Sequence, residues 1–392
     1  MAEAIRKSKS YCLKSPKSIE PIALAAGRAV RTLQEFLAFL VWYHERIDDR
    51  LQQLVMDDHR SEWSIGVIDA SAHVKQGQKT PGVKRPYCGE TGKVENCVVG
   101  QHLLYTDNHP TNPFTCMLAS DLFLPEEWAN DSERCRAAGI PDDLDYRPKW
   151  EIAIDQVKRA LSNGVRFRYV TFDEEYGKVP QFWFELDGLG QQAIGEVPVN
   201  FLCWPSLPHC HSLQAAHAAK RVDNVCRHSP VFTRQKWQRM TVKHTTRGPQ
   251  VWEIKAARVR LVLASETPSR PTDRPYWLIV ARNLETGEYK YFISNAPASA
   301  DLQDMLIAAF ARWHVEKWFE RAKQEAGFGD FEVRTYRSLI RHWLCSRMAM
   351  YFLAEQTQRL RGEKSTHHLR ASGPSRQHAG RHDLEPVLVL VC

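Results

Sequence analysis

Hydrophobic and polar positions along the chain change period several times, and each change marks an element. From about Ala25 to Asp57 apolar residues recur at helical spacing (Leu33, Phe36, Leu37, Leu40, Trp42, then Ile47, Leu51, Leu54), which predicts one or two helices. The run 64-SIGVIDA-70 is different: short, apolar and closed by an acid, as in a buried strand. Two further strands are predicted at 95-ENCVVGQHLLYT-106 and 114-FTCMLASDLFLP-125, joined by an Asn-His-Pro-Thr-Asn-Pro turn. Over 147–164 the stripe Trp150, Ile154, Val157, Leu161 restores the helical period, and Gly164 stops it. A fourth strand, 165-VRFRYVTFD-173, again ends in an acid; a helix over 179–190 and a short strand around 192–197 follow.

The stretch 198–300 begins rich in Pro, His and Arg. It then turns strand-like at 251–265 and in a hairpin over 276–294, turned at Glu285-Thr286-Gly287-Glu288. It reads as a β-rich insertion. The run 310-FARWHVEKWFERAKQEAGFGD-330 predicts one helix stopped by glycines, and a second helix spans about 336–360. The expected organisation is a basic helical region over 1–60, an α/β core over 61–197 and 301–361, the insertion at 198–300 between them, and a low-complexity, disordered tail at 362–392.

Composition narrows the class. At 392 residues, 43% apolar and 25% charged, the chain has the make-up of a soluble globular protein. Its net charge of +7 is compatible with a polyanionic partner without establishing one. The longest apolar run, 36-FLAFLVWY-43, is too short for a membrane span, and the start, MAEAIRKSKSY, has no apolar signal region. Ten scattered cysteines with no CxxC suit reduced thiols, so a cytoplasmic protein is expected.

Candidate chemistry centres on acids. In the helix quoted above, Arg312, Glu316 and Lys323 fall at about 0°, 40° and 20°, one narrow arc beside the apolar stripe of Val315, Trp318, Phe319 and Ala322. Asp69 and Asp173 each follow a predicted strand, at the edge where open α/β sheets gather ligands. Three carboxylates converging there, with no soft ligands, would suit Mg²⁺ or Mn²⁺. Taken singly, each acid has a plainer reading: a turn or helix cap for a strand-end Asp, a surface ion pair for the helical Glu. In 203-CWPSLPHCH-211, Cys203, His209, Cys210 and His211 are zinc-ligand types at a poor spacing, and an ordinary loop is expected.

These residues carry a resemblance. Arg312-x3-Glu316-x6-Lys323 matches the last-acid signature Y-x2-R-x3-E-x6-K of DDE transposases of bacterial insertion sequences, with Ala309 at the Tyr position. Asp173-Glu174-Glu175-Tyr176-Gly177 matches the family's D-x-x-Y-G, and 67-VID-69 its first acid, here followed by Ala70. The segments 73–97, 122–141 and 328–344 resemble the branch named after insertion sequence seven-hundred-one, and the likeness covers about residues 15–360. The resemblance implies an RNase H-like core with a mixed sheet, N-terminal DNA-binding helices, and a β-rich insertion before the last catalytic helix. It implies Asp69, Asp173 and Glu316 as ligands of two Mg²⁺ or Mn²⁺ ions, with Arg312, Lys323 and Tyr176 contacting DNA. For Tyr176, packing at the sheet edge is an equal reading. Trp237, Trp252 and Trp277 are candidates for base stacking or for core packing. The implied partners are double-stranded DNA with terminal inverted repeats, target DNA and a second copy of the chain. The implied location is the nucleoid, and the implied activity is strand cleavage and transfer. The competing expectations are a non-catalytic DNA-binding remnant or regulator of transposition, and an RNase H-like nuclease acting on junctions or RNA hybrids.

Overall fold

The part of the sheet that carries Asp69 and leads to Asp173 has five strands: β1 (Ile65–Val74), β2 (Cys97–Thr106), β3 (Thr115–Leu122), β4 (Tyr169–Phe172) and β5 (Ala193–Val197). The computed structural model describes residues 18–85, 87–88, 92–205, 219–245, 248–263 and 270–370. The basic segment 1–17, the zinc-ligand types at 209–211 and the tail beyond 370 lie outside them. The strands run in the order β3-β2-β1-β4-β5. β2 is antiparallel to both neighbours, while β4 is parallel to β1 and β5. The strands of the 198–300 stretch extend the same sheet. The four longest are β6 (Gln238–Thr245), β7 (Gly248–Leu263), β8 (Tyr276–Asn283) and β9 (Tyr289–Ser294). β9 pairs antiparallel with β5, then β8 with β9 and β7 with β8; β6 pairs with β7. The expectation of an α/β protein with a large mixed sheet therefore holds.

Helices cover both faces. Among them are α1 (Ile19–Ala25), α2 (Val30–Ala38), α3 (His44–His59), α4 (Lys149–Ser162), α5 (Pro180–Gly188), α6 (Leu302–Phe310), α7 (Trp313–Ala326) and α8 (Tyr336–Arg370). Alternation along the strands assigns each side chain to a layer. Ile68, Leu103 and Phe172 face Val55 of α3, Ile154 and Val157 of α4 and Trp183 of α5. Val67, Leu104 and Met117 face Leu306 of α6, Val315, Trp318 and Phe319 of α7 and Trp343 of α8.

Four expectations need correcting. β1 does not end at Asp69. Its antiparallel ladder with β2 continues through Asp69↔His102 to Val74↔Cys97, although the parallel ladder with β4 stops at Val67↔Thr171. The strand expected over 165–173 is confined to Tyr169–Phe172. The helix expected across 310–330 is broken at Ala311-Arg312, because α6 packs on β4, β5 and β6 while α7 packs on β1 and β3. One straight helix cannot cover both sets of strands. Gly327 does end α7, in a left-handed conformation (φ 59°) that suits glycine. The helix expected over 336–360 extends to Arg370, into the first residues of the low-complexity tail.

Candidate active site

Asp69 projects from β1 just past the point where β4 stops pairing, and its side chain is only 17% exposed. Burial, reinforced by the charge of Asp173, pushes its carboxyl up to about 7; Arg312, 3.5 Å away, and the Ala70 N–H, which donates to Oδ1, act the other way. Asp173 is the first residue after β4. Its Oδ1 accepts the Glu175 N–H at 2.9 Å, which caps the short helical turn Glu174–Gly177. Burial also raises the Asp173 carboxyl above the usual range, against the opposing pull of Arg312.

Glu316 lies in the first turn of α7 with its side chain 60% exposed. Arg312 bridges to it at 3.2 Å and to Asp69 at 3.5 Å, so this guanidinium is the counter-ion shared by two of the acids. Asp69, Asp173, Glu316 and Lys323 all line one cleft of about 910 Å³. Lys84, Lys149, Glu175, Glu320 and Phe123 are also among its walls, and the sequence pattern assigned no role to Lys149, Glu320 or Phe123. A signal existed for one of them. Lys149 is the first residue of α4, at the helix end whose dipole disfavours a cation.

Tyr176 departs from the DNA-contact assignment. It is 1% exposed and its hydroxyl donates to Gln101 Oε1 at 2.5 Å inside the core, so it offers no surface to a strand. The D-x-x-Y-G pattern has a packing cause instead. Asp173 caps the turn, Tyr176 fills the core beneath it, and a Cβ on Gly177 would lie 1.9 Å from the Glu196 carbonyl oxygen. Of the three tryptophans, Trp252 is 2% exposed and packs 4.9 Å from Phe310. Trp237 and Trp277 are half-buried under cations: Arg282 lies 4.6 Å from the Trp237 ring and Arg258 5.0 Å from that of Trp277. Cys203 is buried and its thiol is pushed up to about 12, which makes it a poor ligand.

Among the described residues no three His, Cys, Asp or Glu side chains are grouped as a metal-holding cluster. The three acids line the cleft as separate groups, tied by Arg312. Their chemistry nevertheless fits a hard divalent cation: the donors are all carboxylate oxygens, and Asp69 carries raised proton affinity from burial beside a second acid. Asp69 and Asp173 would hold such an ion from the sheet, and Glu316 from α7.

The comparisons with known proteins point the same way. The family described as DDE superfamily endonuclease matches residues 11–249, more than half of the chain. The match takes in Asp69 and Asp173 and stops short of α7. A probable transposase for insertion sequence element IS701 of Microchaete diplosiphon is 23% identical over 308 residues, 78% of this chain and 69% of that protein. No helix among the described residues is long and apolar enough to cross a membrane. With more than half of its length matched, and two acids of that stretch opening on one cleft, the chain belongs to the DDE superfamily of endonucleases.

Proposed function

We infer that this chain is the DNA transposase of an insertion sequence, cutting and joining strands at the element's ends. The observation that carries this reading is the shared cleft: Asp69, Asp173, Glu316 and Lys323 line one cavity, and Arg312 touches two of the acids. The order β3-β2-β1-β4-β5, with only β2 running against its neighbours on the β1-β4-β5 side, supports an RNase H-like core. Asp69, Asp173 and Glu316 would hold divalent ions, which would supply Lewis-acid activation and charge neutralisation for phosphodiester cleavage.

The protein's own groups do the rest. Lys323 meets a backbone phosphate as a point charge at the rim. Arg312 exchanges its carboxylate partners for phosphate oxygens, which its planar fork can grip in pairs. Phe319, Val99 and Ala72 line the cleft and keep its floor apolar. Water is the first nucleophile: its oxygen bonds to phosphorus, the P–O3′ bond breaks, and the departing 3′ oxygen takes a proton. That 3′-hydroxyl then attacks a phosphorus of either the opposite strand or target DNA: its oxygen bonds to phosphorus, the P–O3′ bond of the attacked strand breaks, and the departing 3′ oxygen takes the proton. The DNA partner carries terminal inverted repeats, and two copies of the chain pair the ends.

The test is cleavage of a plasmid bearing the native flanking DNA, in Mg²⁺ and in Mn²⁺, by wild type and Glu316→Gln. Cuts at the repeat ends, reduced to background in the variant while DNA binding persists, are expected. Cleavage retained by Glu316→Gln would overturn the assignment. The ungrouped acids favour a second reading, a DNA-binding regulator without catalysis. Salt-sensitive binding with no cleavage by wild type in either metal would select it.

A further inference from the structure

We propose that Phe123 and Lys149 on the wall of the cleft, with Tyr146 just outside it, form a docking surface for unpaired nucleotides of the cut DNA strand. The proposal rests on the transposase reading for the identity of its DNA, but not for its test.

A continuous chain of contacts leads from the catalytic acids to this surface. Asp173 accepts the Glu175 N–H; the Glu175 carboxylate pairs with Lys149 Nζ at 2.8 Å; Lys149 Nζ lies 5.7 Å from the centre of the Phe123 ring. Phe123 in turn meets Tyr146 edge-on, with ring centres 6.1 Å apart and planes at 72°. Asp173, Glu175, Lys149 and Phe123 all line the cleft, and Tyr146 stands outside it at 42% exposure.

Each member is placed at some cost unless something binds there. Lys149 sits at the first position of α4, where the helix dipole repels a cation, and its partner Glu175 is itself 44% exposed. A solvated carboxylate is a replaceable partner, and a strand phosphate can take its place on Lys149. Tyr146 and Phe123 keep ring surface open to solvent beside this cation. An aromatic pair next to a lysine is the chemistry that holds single-stranded nucleic acid: rings stack on bases and the ammonium meets the backbone. A duplex keeps its base faces covered by their neighbours, so only unpaired bases can use the rings. Such bases arise beside a cleavage point, where this wall stands.

Equilibrium binding of the full chain to a labelled mixed-sequence oligonucleotide tests the proposal. It is measured single-stranded and as duplex, in chelator, so that catalysis plays no part. Losing the rings in Phe123→Leu/Tyr146→Leu, which preserves apolar bulk, should weaken single-strand binding by roughly 5- to 150-fold. Duplex binding should change by less than about twofold. Lys149→Ala should weaken both and lower the single-strand salt slope by about 0.7. Unchanged single-strand affinity in the double variant, or equal loss on duplex, would overturn the proposal even if wild type cleaves DNA. The expected pattern in a protein that never cleaves would leave the wall standing and count against the transposase reading instead.

Discussion

At Asp69 the buried carboxyl makes a prediction about stability whose sign follows from proton binding. The folded state holds this proton up to about pH 7, whereas an ordinary aspartate releases it near 3.8. Between those values the native state binds more protons than the unfolded chain, so in the absence of divalent ions stability falls as pH rises through that window. Asp69→Asn removes the effect. The variant should be more stable than wild type above pH 7, by at most about 4 kcal/mol, and the gap should close towards pH 4. Parallel denaturation curves for the two proteins across that range would show that the carboxyl is not held in this way. Gly177 makes a second prediction. A methyl placed 1.9 Å from the Glu196 carbonyl forces the turn after Asp173 away from β5, so Gly177→Ala should lose about 1–3 kcal/mol in thermal or denaturant unfolding. The sequence displayed the D-x-x-Y-G spacing but not its cause. A tyrosine near an acid looks the same whether it meets DNA or fills a core, and only its bond to Gln101, 75 positions away, decides.

At the scale of one element, α7 carries the glutamate and lysine of the site, with Arg312 as the residue before its first turn, and its far end is held by side chains from elsewhere. The last carbonyls of a helix need partners. Here Ser346 Oγ donates to the Ala326 carbonyl at 3.0 Å, and His342 Nε2 meets that of Gly327 at 2.9 Å. Lys75 Nζ donates to the Gly329 and Phe331 carbonyls at 2.7 Å each. Lys75 is 8% exposed and lies 3.6 Å from the Phe331 ring. Lys75→Met leaves both carbonyls without this donor, at a cost of about 2–4 kcal/mol. Hydrogen exchange should rise over 324–331 while the amides of β2 stay protected; uniform protection along α7 would show that the clamp is dispensable. The arc shared by Arg312, Glu316 and Lys323 was readable from helical geometry, and the 3.2 Å contact between Arg312 and Glu316 agrees with it. The break before Trp313 was not readable, because it comes from the strands each half of the segment covers. The clamp was equally hidden: nothing around Lys75 in the sequence sets it apart from Lys79 and Lys84.

For the whole molecule, local pattern revealed most strands and helices but not how the meander joins the core. The β9-to-β5 register brings Tyr291 to Val197, 94 positions apart, and nothing local encodes such a pairing. Long-range anchoring is concentrated in α8, through two arginines with different reach. Arg347 is 2% exposed, pairs with Asp48 of α3 at 2.6 Å and donates to the Leu118 carbonyl of β3 at 2.7 Å, so it ties helix to sheet. Arg341 instead grips the link between α2 and α3. It donates to the carbonyls of Leu37, Leu40 and Trp42 at 2.9–3.1 Å, with its guanidinium 4.4 Å from the Trp42 ring. The two should therefore fail differently. Arg347→Met removes one of the two guanidiniums on buried Asp48, the other being Arg159 at 2.9 Å, together with the donor to Leu118, and should cost about 1–3 kcal/mol in global unfolding. Arg341→Met should leave the main transition nearly unchanged and release α1 and α2, so that limited proteolysis cuts first between 26 and 43. If those helices also grip the DNA ends, this variant should lose end binding while retaining the binding of single strands at Phe123 and Tyr146. Global destabilisation by Arg341→Met, with no early cut, would mean that the N-terminal helices are part of the core rather than an attached arm.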